Sequence, residues 1–425
     1  MTRLQSVLQR ATRLVVPSEE EEERLNGVAE KILKKVEAAS LPFKEVTGVL
    51  LGGSFAKQTW LPGRAGAVAD VDVFVKFHKE VEGDRFEAVG LKIGREASRG
   101  YKHGKKYAQH PYTEAMVDGV KVNIVPCYDV VVGDWKSAAD RSPYHVQFVK
   151  REFDQGKRTQ VRLLKCFMKQ VGVYGAEIEK EGFSGYAAEV LVHVDGSFEG
   201  VLRRFAGLKP SGDVMLSLKD PVDDDRELAR AISKETVARM VLASRAFLDR
   251  PKLAYFTGLE RKVRRGLLER VYVVRFDHRP LSEDTLWGEL KKSTKQLVRY
   301  IEERGFDVVR AAAASNDSDS SAIMILPATD RISEFEERVG PGVEMSAEVC
   351  RFISKNKRRA ELVWAGEDGR VHMLQKRGAT ELLSLLKEVC SSEIDRVGAS
   401  REIARRAAHA TPNLKELVGR SEDRD

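Results

Sequence analysis

Residues 50–77, LLGGSFAKQTWLPGRAGAVADVDVFVKF, constrain the fold more than any other part of the chain. A strand-like run, EVTGVLLGG, breaks at a glycine pair, and sixteen positions after Ser54 an apolar run opens with Asp70, Val71 and Asp72. Side chains alternate along a strand, so Asp70 and Asp72 share one face while Val71 and Val73 point into a core. Two carboxylates held that close repel unless a cation lies between them, and hard oxygen donors suit Mg2+. Gly52 and Gly53 let backbone approach a ligand, Ser54 offers a hydroxyl and an amide, and Lys57 supplies a mobile charge suited to phosphate. The expected unit is a phosphate cradle beside a metal clamp, the arrangement that nucleotide transfer needs.

The flanking sequence fits an α+β head around this unit. Leu4, Leu8, Ala11 and Val15 recur at helical spacing, and Ser18 with Glu21 forms a capping box before Leu25, Val28, Ile32 and Val36 on one helical face. After the aspartate strand, RFEAVGLKIGREASRGY predicts a helix, and the Asp118-Gly119 turn joins two alternating strands. The second of these, VKVNIVPCY, is expected beside the aspartate strand. Helical patterns dominate residues 154–249. Beyond Pro251, RVYVVRF and SAIMILPA predict strands, LWGELKKSTKQLVRYIEERG and RISEFEERVG predict helices, and AAAASNDSDSS (311–321) reads as a loop. The expected domains are therefore 1–153, a catalytic head; 154–257, a helical centre; and 258–425, an α+β body and tail.

Lysine and arginine number 72 against 65 acidic residues, and the resulting +7 is concentrated. Basic islands occur at 157–165, 261–270, 291–299, 355–359 and 401–410, while acidic runs lie elsewhere. A long polyanion lying along the molecule would meet them, with phosphate contacts supplying much of the affinity. Lys355, Lys357, Arg358 and Arg359 form the densest island. The four cysteines stand far apart without a C-x-x-C pair, so neither a zinc site nor a disulfide framework is indicated, and a reducing cytoplasm is expected. No apolar run reaches the roughly eighteen residues of a membrane helix.

The sequence resembles the archaeal-type, class I CCA-adding enzymes, tRNA nucleotidyltransferases of the polymerase-β superfamily. The resemblance rests on GGSFAKQTWLPG with DVDVFVKF, YAQHPYTEAMVDGVKVNIVPCY, SAADRSPYH, VRLLKCFMKQVGVYGAE and GFSGYAAEVLV, and extends into the C-terminal third. It implies template-independent addition of C, C and A to the 3′ end of tRNA from CTP and ATP, with release of pyrophosphate and Mg2+ as cofactor. Asp70 and Asp72 would ligate metal. Gly53, Ser54 and Lys57 would form the phosphate turn, His145, Lys165 and Tyr174 would contact the triphosphate, and Arg239 would face the incoming base. The implied architecture is a polymerase-β-like head, a helical centre, and an α+β body and tail that grip the acceptor and T arms of tRNA. The basic islands suit that partner, since A-form RNA is read through shape, phosphates and 2′ hydroxyls. A homodimer is the assembly allowed for.

The chain departs from the family at two places. GRAGAVA lengthens the loop between Ser54 and Asp70, which a glycine- and alanine-rich segment absorbs. More consequentially, the family carries a third carboxylate where this chain has Asn123. An amide oxygen can ligate Mg2+ but brings no charge and cannot accept the primer's proton, so slowed catalysis is expected. The alternatives are a tRNA-binding protein with a retired site, or another superfamily polymerase such as a poly(A) polymerase.

Overall fold

A computed structural model describes residues 2–66, 69–209, 216–259, 265–390 and 407–411. They fall into two compact units that divide near residue 260. The first opens with α1 (Arg3–Val15) and α2 (Glu19–Ser40), the latter starting at the Ser18–Glu21 capping box. Then come β1 (Val46–Gly52), a single turn α3 (Gly53–Ala56), β2 (Asp70–His78), α4 (Gly83–Ala97), β3 (Lys102–Tyr107), β4 (Pro111–Val117) and β5 (Val120–Asp129). The strands form one sheet in the order β1-β2-β5-β4-β3, with β2 and β5 parallel and the other pairs antiparallel.

One face of that sheet is apolar. Val71, Val73, Val122 and Ile124 are buried with Leu25, Val28, Ile32 and Val36 of α2 and Phe86, Val89 and Ile93 of α4. Burying each such side chain is worth about 1.5–3 kcal/mol, and a one-residue slip of β2 would exchange the valines for the aspartates. The core thus fixes which way Asp70 and Asp72 face. The β4–β5 turn has positive φ at both Asp118 (50°) and Gly119 (76°), as a two-residue hairpin turn requires.

A second core gathers the helices α5 (Ser142–Glu152), α6 (Gln155–Val171), α7 (Gly185–Asp195), α8 (Phe198–Gly207), α9 (Lys234–Asp249) and the short α10 (Ala254–Thr257). The small hairpin β6 (Lys219–Asp220) and β7 (Asp223–Glu227) lies between α8 and α9 in the chain. Although α1 precedes the sheet in sequence, Val7, Ala11 and Val15 pack into this helical core.

The second unit begins with α11 (Arg265–Leu268), followed by β8 (Tyr272–Asp277), α12 (Glu283–Glu302), β9 (Val308–Ser315) and β10 (Ser320–Pro327). Next come β11 (Phe335–Gly342), α13 (Ser346–Asn356), β12 (Ala360–Ala365), β13 (Arg370–Lys376), α14 (Leu382–Glu388) and β14 (Ala407–Thr411). Its strands form two antiparallel sheets, β14-β8-β10-β9 and β11-β13-β12. Two sequence expectations fail here. Residues 311–315, read as loop, pair with β10 from Ala311 opposite Ile325 to Ser315 opposite Ser321, leaving only a tight turn between the strands. Alanines have little strand propensity of their own, so the partner β10 decides. RISEFEERVG, read as helix, instead supplies most of β11, which pairs with β13 and ends in a Gly-Pro-Gly run that disfavours helix.

Candidate active site

The face of the first sheet opposite the valines presents the aspartates. Asp70 pairs with Lys121, and Asp72 pairs with Asn123, in the parallel register of β2 and β5. Asn123 Nδ2 donates to Asp72 Oδ1 at 2.8 Å, and Lys121 Nζ lies 3.8 Å from Asp70 Oδ2. Burial, and then the charge of Asp70, push the Asp72 carboxyl up to about 6 against the Asn123 hydrogen bond. The glycine pair is required by this packing. A Cβ on Gly52 would stand 2.2 Å from the Phe74 ring, and one on Gly53, whose φ is +62°, would stand 1.8 Å from Asp72 Oδ2. Gly53 therefore lets the turn close over the second carboxylate, and Ser54 follows in the same single helical turn.

Lys57 leaves that turn into a buried ionic cluster. Its ammonium donates to Glu189 Oε2 at 2.6 Å, while Thr59 Oγ1 donates to Glu189 Oε1 at 2.5 Å. Lys165 Nζ donates to Glu189 Oε1 at 2.8 Å, to Thr59 Oγ1 at 2.9 Å and to the Thr59 carbonyl at 3.2 Å. An ammonium has three N–H donors, so Lys165 is fully committed inside the protein. Burial works to raise Glu189, yet Lys165 and Lys57 together hold it down at about 2. Burial lowers Lys165 to about 8 with Glu189 opposing, so it remains a cation at neutral pH. Two ammoniums against one carboxylate leave a net positive charge beneath the turn.

A second buried network adjoins it. His145 stacks on Tyr186 with ring centroids 3.6 Å apart, and Lys57 Nζ stands 5.4 Å from the centre of the same tyrosine ring. The His145 Nε2 and the Tyr186 hydroxyl converge on Asp220 at 3.1 and 2.8 Å, where Arg226 also pairs at 3.1 Å. Burial lowers His145 despite its bond to Asp220. Burial likewise pushes the Tyr174 hydroxyl up, and a Cβ on Gly185 would stand 2.9 Å from that hydroxyl and 3.6 Å from Lys165 Nζ. Arg239 lies on α9, bonded to the Gly172 carbonyl at 3.0 Å and to Glu235 at 2.6 Å. Lys355, Lys357, Arg358 and Arg359 belong to the second unit, all exposed at and just after the end of α13.

The structure thus brings Gly53, Ser54, Lys57, Asp70, Asp72 and Asn123 together, and places His145, Lys165 and Tyr174 in the layer behind Lys57. Sequence reasoning overlooked Glu189, Thr59, Tyr186 and Asp220. Glu189 left a signal, a lone carboxylate in the apolar run GYAAEVLV, whose buried position demands a partner. Lys169 was also overlooked. It is partly buried one helical turn beyond Lys165, and burial lowers it while the charge of Asp70 opposes.

Among the described residues no three Asp, Glu, His or Cys side chains gather as a metal-binding group. The oxygens that meet are those of the Asp70 and Asp72 carboxylates, and Asn123 turns its amide nitrogen, not its oxygen, toward Asp72. Asn123 Oδ1 is buried and has no hydrogen-bond partner among the described residues. Two crowded carboxylates, with an unpartnered amide oxygen on the neighbouring residue, fit a hard divalent cation.

Comparison with known proteins decides the family. Over 89% of both chains the sequence is 34% identical to a CCA-adding enzyme of Sulfolobus acidocaldarius. It is 32% identical to that of Pyrobaculum islandicum, over 91% of this chain and 94% of the relative. The chain belongs to the CCA-adding enzyme family. A third CCA-adding enzyme, from Thermoplasma volcanium, is 35% identical over 80% of this chain and 78% of the relative. The sequence model for the second domain of tRNA nucleotidyltransferases matches residues 159–257, and that for the C-terminal domain of CCA-adding enzymes matches 268–406. Residues 1–143 match the model of the second messenger oligonucleotide or dinucleotide synthetase domain. This member of the CCA-adding enzyme family is a tRNA nucleotidyltransferase.

Proposed function

We propose that the protein adds C, C and A to the 3′ end of tRNA, using CTP and ATP with Mg2+ and releasing pyrophosphate. The observation that carries the reading is the run Asp70, Asp72 and Asn123, oxygen donors in register on two parallel strands, opposite a turn whose lysine is backed by a net positive cluster. Asp70 and Asp72 would hold the ion, and Asn123 would join them once its amide turned its oxygen toward Asp72. A divalent ion there would neutralise triphosphate charge and make the primer's 3′ hydroxyl more acidic.

The rest is work for the chain's own groups. The Gly53–Ser54 turn and Lys57 take the triphosphate, and Lys165 contributes its charge from one layer further in. The phenol of Tyr174 is a donor beside Lys165. His145 keeps Tyr186, and through it Lys57, in place, and Arg239 faces the base. Residues 1–153 serve as catalytic head, 154–257 as helical centre and 258–425 as the tRNA-gripping body and tail, with Lys355, Lys357, Arg358 and Arg359 on RNA phosphates. The described cysteines are all unpaired and no described helix is long and apolar enough to cross a membrane, which suits a cytoplasmic site of action.

Asn123 supplies no negative charge and no proton acceptor, so turnover is slower than three carboxylates would permit. It also favours a second reading, a tRNA-binding protein without catalysis. Asp72→Ala separates them. In the catalytic reading it abolishes nucleotide incorporation and leaves tRNA affinity unchanged; incorporation at the wild-type rate would remove Asp72 from the mechanism, and none by either protein would favour the second reading.

A further inference from the structure

Asn123 has a second neighbour on the metal face. In β4, Glu114 stands directly opposite Asn123 in antiparallel register, so Asp72, Asn123 and Glu114 form one row across three adjacent strands. Directly opposed residues share a face of the sheet, with Cβ atoms about 4.5–5.5 Å apart. On the far side Glu114 faces Gly104 of the edge strand β3, and a Cβ on Gly104 would touch nothing within 4 Å. Gly104 itself brings no side chain against Glu114, and Lys102 and Lys106 flank it on the same face of β3.

Glu114 is half-buried and, unlike its acidic neighbours, pairs with no cation and accepts no hydrogen bond among the described residues, whereas Asp70 lies near Lys121 and Asp72 accepts from Asn123. The two ends of an amide point apart, so when Asn123 Nδ2 donates to Asp72, Oδ1 is turned away from it. That oxygen is buried and unpartnered among the described residues. Two acceptors, the amide oxygen and a carboxylate with no described partner, therefore belong to directly opposed residues on one face. A cation satisfies both.

We infer that Glu114 supplies the third negative charge of the metal face, reaching the ion from the strand beside Asn123. The inference rests on the metal reading of Asp70 and Asp72 given above. Strands lie about 4.8 Å apart, so Glu114 is about 9.6 Å from Asp72 at the Cα atoms. The extra methylene of glutamate over aspartate suits this longer reach, and rotation about its free side-chain bonds brings the carboxylate in. The chain has thus moved a charge one strand outward instead of losing it.

The test is Mn2+ binding to the full-length protein, followed by the electron paramagnetic resonance signal of the free ion. Glu114→Gln should weaken Mn2+ binding tenfold or more at an unchanged melting temperature, since the carboxylate has no partner to lose. Adding Asn123→Asp to that variant should restore the affinity. Wild-type binding together with an unaffected Glu114→Gln overturns the inference alone. Absence of Mn2+ binding by the wild type overturns it together with the metal reading. A Glu114→Gln protein that Asn123→Asp fails to rescue contradicts the shared ion.

Discussion

Removing the Glu189 carboxylate leaves Lys57 and Lys165 buried without their counter-charge, and at this scale the site is most sensitive there. Breaking a buried pair from one side costs about 3–5 kcal/mol, so Glu189→Gln is expected to lower unfolding free energy by at least about 3 kcal/mol in a denaturant titration. Its pH dependence has a definite sign. Glu189 is depressed from 4.5 to about 2, so its contribution is complete above the unfolded value and disappears as pH falls through that window. A shift of this size corresponds to on the order of 3 kcal/mol. Asp220, also held at about 2 against the effect of burial, by His145 and the Val222 amide, titrates in the same window. Acid titration should therefore destabilise the wild type more steeply between pH 4.5 and 2 than Glu189→Gln; parallel curves would show that Glu189 is not the group responsible.

Among the elements, the β1–α3 turn and β2 act as a pair. Gly53→Ala combines a positive φ, which costs an L-residue roughly 1–2 kcal/mol, with a Cβ placed 1.8 Å from Asp72 Oδ2. Asp72 must move, so Mn2+ affinity and nucleotide incorporation should both fall at least tenfold while most of the fold's stability remains; undiminished Mn2+ affinity would mean that Asp72 is not a ligand. Much of this pairing was legible in the sequence. Alternation placed the aspartates on one face, the Asp118-Gly119 turn brought Asn123 beside them, and capping set the start of α2. What was not legible depended on partners distant in sequence. The charged run KHGKKY of β3 is wholly exposed and is a strand only through its pairing with β4. The alanines of β9 and the charged β11 are likewise set by their neighbours. Glu189 was overlooked, and its pairing with Lys165 joins residues on two different helices that only the fold buries together. Asp220 gave no warning because it read as part of an acidic surface run.

For the whole molecule, affinity for tRNA and chemistry on nucleotides are assigned to different regions. Neutralising Lys355, Lys357, Arg358 and Arg359 together should weaken tRNA binding and flatten its salt dependence by roughly 0.7–0.9 log units per log salt for each phosphate interaction removed. An unchanged slope would make that island a solvated surface. The basic segments at 261–264 and 401–406 lie outside the described residues. The central claim is that one metal face, two carboxylates and an amide on paired strands, completes tRNA 3′ ends. It is tested most directly by incubating the wild-type protein and Mg2+ with a tRNA lacking its terminal CCA and reading product length on a sequencing gel. Two added nucleotides with CTP alone, and three with CTP and ATP, are the predicted result; no extension of a tRNA that the protein nevertheless binds, or a long untemplated tail, would contradict it.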